Sequence, residues 1–135
     1  MIHLVQAFHR KFDLPTGEED HLSKDTSLQK FRANFLVEEV EELLEAFEEN
    51  NRTKAFDALL DLVYVAHGTA LLLGVEPDQW HAGMEIVHRC NMRKVKVASA
   101  SESKRGHASD VRKPEGWTGP EDKLKEILAW PKRKD

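Results

Sequence analysis

What this chain lacks narrows it first. It holds a single cysteine, Cys90, in 135 residues, so no disulfide framework can form within it, and such thiol usage suits a reducing cytoplasm. None of its seven histidines falls in an HExxH or zinc-type spacing. No uninterrupted apolar run opens the sequence as a signal peptide would, because His3, Gln6, His9 and Arg10 break it. The most apolar stretch, residues 58–73, carries Asp61 and His67 and is too short to span a bilayer. It reads as a core helix, so no membrane partner is expected. Strand-like alternation and internal repeats are missing too. What remains is one cytoplasmic all-α domain, long enough to bury a core without covalent staples.

Charge is present but unevenly placed. The net charge is −4. Residues 1–88 carry 17 acids and 7 bases, whereas residues 89–135 carry 13 bases and 7 acids. A uniformly basic binder of nucleic acid polymers is excluded by that balance. An acidic centre beside a basic element suits a metal and a small phosphorylated ligand.

Four helices and a tail follow from periodicity and punctuation. The first is expected from about His3 to Phe12, before the turn at Leu14-Pro15-Thr16-Gly17. Thr26 and Gln29 form a capping box for the second, which runs to about Glu49. The third spans about Thr53 to Leu73, with Gly74 placed to end it in a left-handed conformation. Pro77 and Asp78 open the fourth, whose stripe is Trp80, Met84, Val87, Asn91 and Val95. Residues 99–119 read as a polar arm and Glu121 to Trp130 as a short terminal helix. The expected organisation is a helical domain over residues 1–98, with residues 99–135 belonging to the same domain.

The chemistry lies in two acidic clusters on helices that otherwise read as buried. Glu38-Glu39-Val40-Glu41-Glu42 sits on the second helix, and Asp57-Ala58-Leu59-Leu60-Asp61 begins on the third. At about 100° per residue, Phe35, Leu36, Val40, Leu43 and Phe47 make the core-facing sector of the second helix. Glu39 falls inside that sector and Glu42 at its edge, while Glu41, Glu45, Glu48 and Glu49 face water. Asp57 and Asp61 stack on one face of the third helix, and the apolar neighbours of Asp61 imply limited exposure. Buried carboxylates repel one another unless paired, and four of them offer a hard oxygen site for Mg²⁺ or Mn²⁺. The competing reading pairs Glu39 or Asp61 with a buried arginine, Arg32 or Arg93.

Glu38-Glu39-x-x-Glu42, followed by an acidic pair on the next helix, resembles the all-α nucleoside triphosphate pyrophosphohydrolases. These are the MazG-like and phosphoribosyl-ATP pyrophosphohydrolase-like proteins, which also include dimeric dUTPases. The likeness extends to Asp61-Leu62-Val63-Tyr64-Val65, Gly68-Thr69-Ala70, Gly74-Val75, Asn91-Met92-Arg93-Lys94 and Lys113-Pro114-Glu115-Gly116-Trp117, over roughly residues 3 to 120. One departure is clear: the usual second motif is Glu-x-x-Asp, and its Glu position here is Ala58.

The resemblance implies a four-helix bundle of the MazG-like type that hydrolyses the α–β phosphoanhydride of a nucleoside triphosphate or related nucleotide, as a homodimer or dimer of dimers. It implies Glu39, Glu42 and Asp61 as ligands of Mg²⁺, with Asp57 as a fourth candidate in place of the missing Glu. Glu38 and Glu39 then stand in the catalytic centre, Glu38 orienting or deprotonating water. Asn91 and Lys94, one turn apart, would meet phosphates or sugar, and Lys113 with Trp117 would cover the site. Trp117 either stacks on a base or anchors the arm. His67 reads as a core histidine and Cys90 as packing.

Two other readings stand beside this one. Glu85-Ile86-Val87-His88 is a Glu-x-x-His motif of the di-iron bundle kind, although the second copy, Glu18 to His21, falls in an expected loop. The other is a non-catalytic helical module that binds nucleotide or protein and whose acids are merely solvated.

Overall fold

Helix-start and helix-stop chemistry sets most element boundaries in this computed structural model, which describes residues 1–133. The described residues form five α-helices: α1 (Ile2–Lys11), α2 (Thr26–Glu48), α3 (Arg52–Leu72), α4 (Pro77–Met92) and α5 (Glu121–Leu128). The fold is all-α, a helical bundle followed by an irregular arm and a short terminal helix. The residue that caps α2 is Asp25 rather than Thr26. Asp25 is extended (φ −116°, ψ 92°) and accepts the Leu28 N–H at 2.9 Å, whereas Thr26 is already helical and cannot precede its own helix. Asn51 caps α3 in the same way, accepting the Lys54 N–H at 3.0 Å. Gly74 follows α3 with φ at 78°, as its position predicted. A Cβ there would lie 2.8 Å from the Asp20 nitrogen, so conformation and close approach both require glycine.

The chain divides into two compact units, residues 1–80 with Lys132 and Arg133, and residues 81–131, so that α4 starts in the first and continues into the second. In the first unit α3 packs against α1 and α2. Ile2 and Val5 of α1 meet Ala70 and Leu71 of α3 and Val75, with Trp80 packed against them. Leu71 is fully buried, worth about 2 kcal/mol relative to exposure. His67 is buried edge-on to Trp80, ring centroids 5.2 Å apart, and burial lowers its pKa. By length and composition α3 could cross a membrane, but it packs here as the central helix of its unit. The Lys132 ammonium donates to the backbone oxygens of Gly17 (3.3 Å) and Gly74 and to Gln79 Oε1 (2.9 Å).

On α2 the core-facing sector differs from expectation. The buried positions are Arg32, Glu39 and Ala46, spaced seven apart. Phe35, Leu36 and Leu43 are half-buried, while Val40 and Phe47 are 43% and 62% exposed. With Val37 and Leu44 they form an apolar stripe in water. On α3, Phe56, Leu59, Leu60 and Val63 are exposed as well. Hydrophobicity marks a side chain for burial without saying whether its own chain supplies the cover.

The second unit is less regular. The helix expected to reach Val95 stops at Met92, and Val95–Lys96 (β1) pairs antiparallel with Val111–Arg112 (β2), in the register Val95↔Arg112 and Lys96↔Val111. This short ladder corrects the expectation of a chain without strands. Its partners lie far apart in sequence and too few residues are involved to show alternation. A 3₁₀ turn, Ala100–Glu102, lies between them. Trp117 anchors this segment locally, its indole Nε1 donating to Cys90 O at 2.8 Å.

Candidate metal centre

Helical periodicity carries Glu39 and Glu42 to the side of α2 that faces α3, and Asp61 to the opposing side of α3. One carboxylate oxygen from each lies within 4.8 Å of the other two. Glu39 is buried, whereas Glu42 and Asp61 are exposed. The exposure of Asp61 departs from expectation, because apolar neighbours such as Leu60 and Tyr64 are themselves turned to solvent. The cluster is therefore open on one side and closed behind Glu39.

Electrostatics in the cluster are unrelieved. Burial raises the pKa of Glu39, and the charges of Glu42 and Asp61 raise it further, with a hydrogen bond to Glu42 and the charge of Glu38 adding less. Burial also raises the pKa of Asp61, helped by Asp57 and Glu42. Glu39 Oε2 is buried with no hydrogen-bond partner. A buried anionic oxygen left unpaired costs several kcal/mol, so the arrangement asks for a cation.

Among the described residues no arginine supplies it. Arg32 is buried two turns before Glu39, yet its Nη2 donates to Val65 O at 2.9 Å and its Nε to Thr69 Oγ1 at 3.1 Å. Arg93 donates within its own unit, to Thr118 O at 3.2 Å and Arg89 O at 3.4 Å. Carboxylates from three residues, one of them with an orphaned oxygen, could hold a divalent cation.

The remaining sequence candidates are placed as follows. Glu38 is exposed beside Glu39. Asp57 is exposed and stands outside the three convergent oxygens, although its charge acts on Asp61. Position 58, the Ala in place of the motif's Glu, is buried. Asn91, Lys94, Lys113 and Trp117 belong to the second unit, where Lys94 Nζ and Lys113 Nζ lie 5.4 and 4.8 Å from the Trp117 ring centroid. Glu85 faces His81 and Arg89 at 3.7 and 3.9 Å, while Glu18 and His21 lie in the loop before α2. Among the described residues Glu39, Glu42 and Asp61 are the acidic or histidine group spaced to hold an ion, and no Glu-x-x-His pair joins it.

Sequence reasoning passed over Lys104, Arg105 and Arg112, which line a pocket in the second unit together with Lys94 and Lys113. The signal that could have found them is the basic balance of residues 89–135.

A family model described as phosphoribosyl-ATP pyrophosphohydrolase matches residues 5–91, from α1 through most of α4 and including all three converging acids. No curated protein matches the chain.

Proposed function

The chain belongs to the phosphoribosyl-ATP pyrophosphohydrolase family, and from that premise we propose that it hydrolyses the α–β anhydride of a nucleoside triphosphate, releasing a nucleoside monophosphate and pyrophosphate. The observation that carries the reading is the buried Glu39 carboxylate, one oxygen of which has no partner, converging with Glu42 and Asp61. Such an arrangement destabilises the protein unless it serves to capture charge.

Glu39, Glu42 and Asp61 would hold the cation, with Asp57 available as a fourth oxygen source. A divalent ion bound there neutralises phosphate charge and acidifies coordinated water. The exposed Glu38 carboxylate, adjacent in sequence to a ligand, orients a water and accepts its proton as that water adds to phosphorus. The anhydride P–O bond breaks and its oxygen departs with the pyrophosphate. Arg32 acts at one remove: by holding Val65 O and Thr69 Oγ1 it fixes α3 against α2, and hence Asp61 against Glu39.

The substrate-binding roles of Asn91, Lys94, Lys113 and Trp117 belong to this proposal, and what supports them is local to their own unit. Lys94 and Lys113 are cations on an aromatic face, suited to phosphate beside a base. We also propose a homodimer or dimer of dimers, supported by the apolar stripes on α2 and α3, and a cytoplasmic location, in keeping with the single cysteine, Cys90.

The decisive assay is a panel of ribo-, deoxy- and modified nucleoside triphosphates, with phosphoribosyl-ATP included, supplied with Mg²⁺ or Mn²⁺ and scored for monophosphate and pyrophosphate. Pyrophosphate release from at least one member, lost in chelator, is the expected result. No turnover across the whole panel overturns the catalytic reading.

A further inference from the structure

The arm beyond the family match contains a second feature, and it is positive. A pocket of about 430 Å³ is lined by Lys94, Lys104, Arg105, Arg112 and Lys113, with Glu102 as the acid in its wall. That volume falls within the range of small-molecule sites, about 300–1,000 Å³. Every one of these residues lies after residue 91, where the family match ends.

The walls are built rather than incidental. Asp110 accepts from the Ser103 hydroxyl at 2.7 Å and from the Val111 N–H at 2.8 Å, and it pairs with the Arg105 guanidinium. Glu102 accepts the Ala98 N–H at 2.8 Å and lies 3.8 Å from Arg112. The β1–β2 ladder closes the loop, with Val97 N donating to Asp110 O at 3.2 Å and Lys96 Nζ to Ala108 O at 2.8 Å. Two of the five cations are therefore pinned by acids that also shape the backbone. Among the described residues no carboxylate lies in ion-pair range of the other three, Lys94, Lys104 and Lys113. Lys94 and Lys113 rest against the Trp117 ring, a weak contact at exposed sites that is readily given up for an anion.

We propose that this pocket is a metal-independent binding site for a phosphate chain of two or three units, either free or as the tail of a nucleotide. With Asp110 and Glu102 offsetting Arg105 and Arg112, three of the five cations remain uncompensated, more charge than a single phosphate needs and a match for a compact polyanion. An extended phosphodiester strand presents one charge per residue along its length and would leave most of the concavity unused. The ligand overlaps with the product proposed above, but the pocket lies wholly in the second unit and needs no catalysis at the acidic cluster.

The test is calorimetric titration of the full chain in EDTA, where the acidic cluster has no cation and repels phosphates. Pyrophosphate and tripolyphosphate should bind saturably, with orthophosphate and a nucleoside monophosphate at least about tenfold weaker. Lys104→Ala with Lys113→Ala should weaken tripolyphosphate by about tenfold or more. Lys123→Ala, an exposed lysine of α5 outside the pocket, and Glu39→Gln should leave it unchanged. Tighter binding of a nucleoside triphosphate than of tripolyphosphate assigns the site to the nucleotide tail, and equal binding assigns it to the chain of phosphates itself. Absence of saturable binding in EDTA overturns the proposal. So does an equal loss in Lys123→Ala, or equally tight binding of a short single-stranded oligonucleotide. Failure of the panel assay with success here, or the reverse, separates this pocket from the catalytic reading.

Discussion

Replacing Glu39 by glutamine should make the metal-free protein more stable and remove its response to divalent ions. Glu39 Oε2 is buried without a partner, and its carboxylate lies within 4.8 Å of oxygens from Glu42 and Asp61. Two unit charges at 4.8 Å repel by about 3.5 kcal/mol at an effective dielectric of 20 and by about 0.9 kcal/mol in bulk water. Because Glu42 and Asp61 are exposed, the lower end governs, and removing the central charge should gain about 1–2 kcal/mol at pH 8. The glutamine amide adds a donor that the neighbouring carboxylates can accept. For a chain of this size the gain corresponds to a melting temperature higher by about 3–8 °C.

The pH dependence has a definite sign. Burial, and then neighbouring acids, raise the pKa of Glu39 and of Asp61 in the folded chain above their unfolded values. The stability these two groups contribute is complete below the ordinary carboxylate range and is lost as pH rises through the raised values. In chelator, the advantage of Glu39→Gln should therefore be large at pH 8 and vanish by roughly pH 4. Thermal unfolding in EDTA at both pH values, followed by a Mn²⁺ titration at pH 8, reads all of this. The wild-type chain should gain stability with the logarithm of ion concentration, and the variant should not. A variant no more stable than wild type at pH 8 in EDTA, or one still stabilised by Mn²⁺, would refute the reasoning.

Other expectations concern single contacts. Glu42→Gln and Asp61→Asn should each lower pyrophosphate release by about a hundredfold or more, whereas Asp57→Asn should lower it less; equal losses would move Asp57 into the ligand set. Gly68→Ala places a Cβ 2.8 Å from Arg32 Nη2 and 3.0 Å from His9 Nε2, and should cost about 1–3 kcal/mol in denaturant melts; an unchanged midpoint would mean that the arginine does not brace the two helices. Phe56 and Leu60, both exposed on α3, should each break the proposed dimer when changed to Glu, giving monomer by light scattering. A wild-type chain already monomeric at micromolar concentration contradicts that expectation.

Features set by nearest neighbours in the chain could be read before any coordinates. Gly74 at its left-handed position, Pro77 at the start of α4, and three acids on facing sides of α2 and α3 all follow from helical periodicity and turn chemistry. Val40 and Phe47 stand in water against their core-like spacing, because hydrophobic spacing orients a side chain without naming its cover. The Val95–Arg112 pairing was invisible because it depends on a loop closing, which no local window reports.

The contrast between the two charged sites follows from the same physics. Glu39 was conspicuous because a carboxylate in a core-facing position violates an expectation, and a violation carries information even when seen alone. Lys104, Arg105 and Arg112 violated nothing, since a polar arm rich in cations is what solvated sequence ordinarily looks like. Their significance depends on Asp110 and Glu102 shaping the backbone so that the charges share one concavity. A site made by placing charge where it does not belong is legible in sequence. A site made by gathering charges that each belong on the surface becomes visible only once the chain has closed.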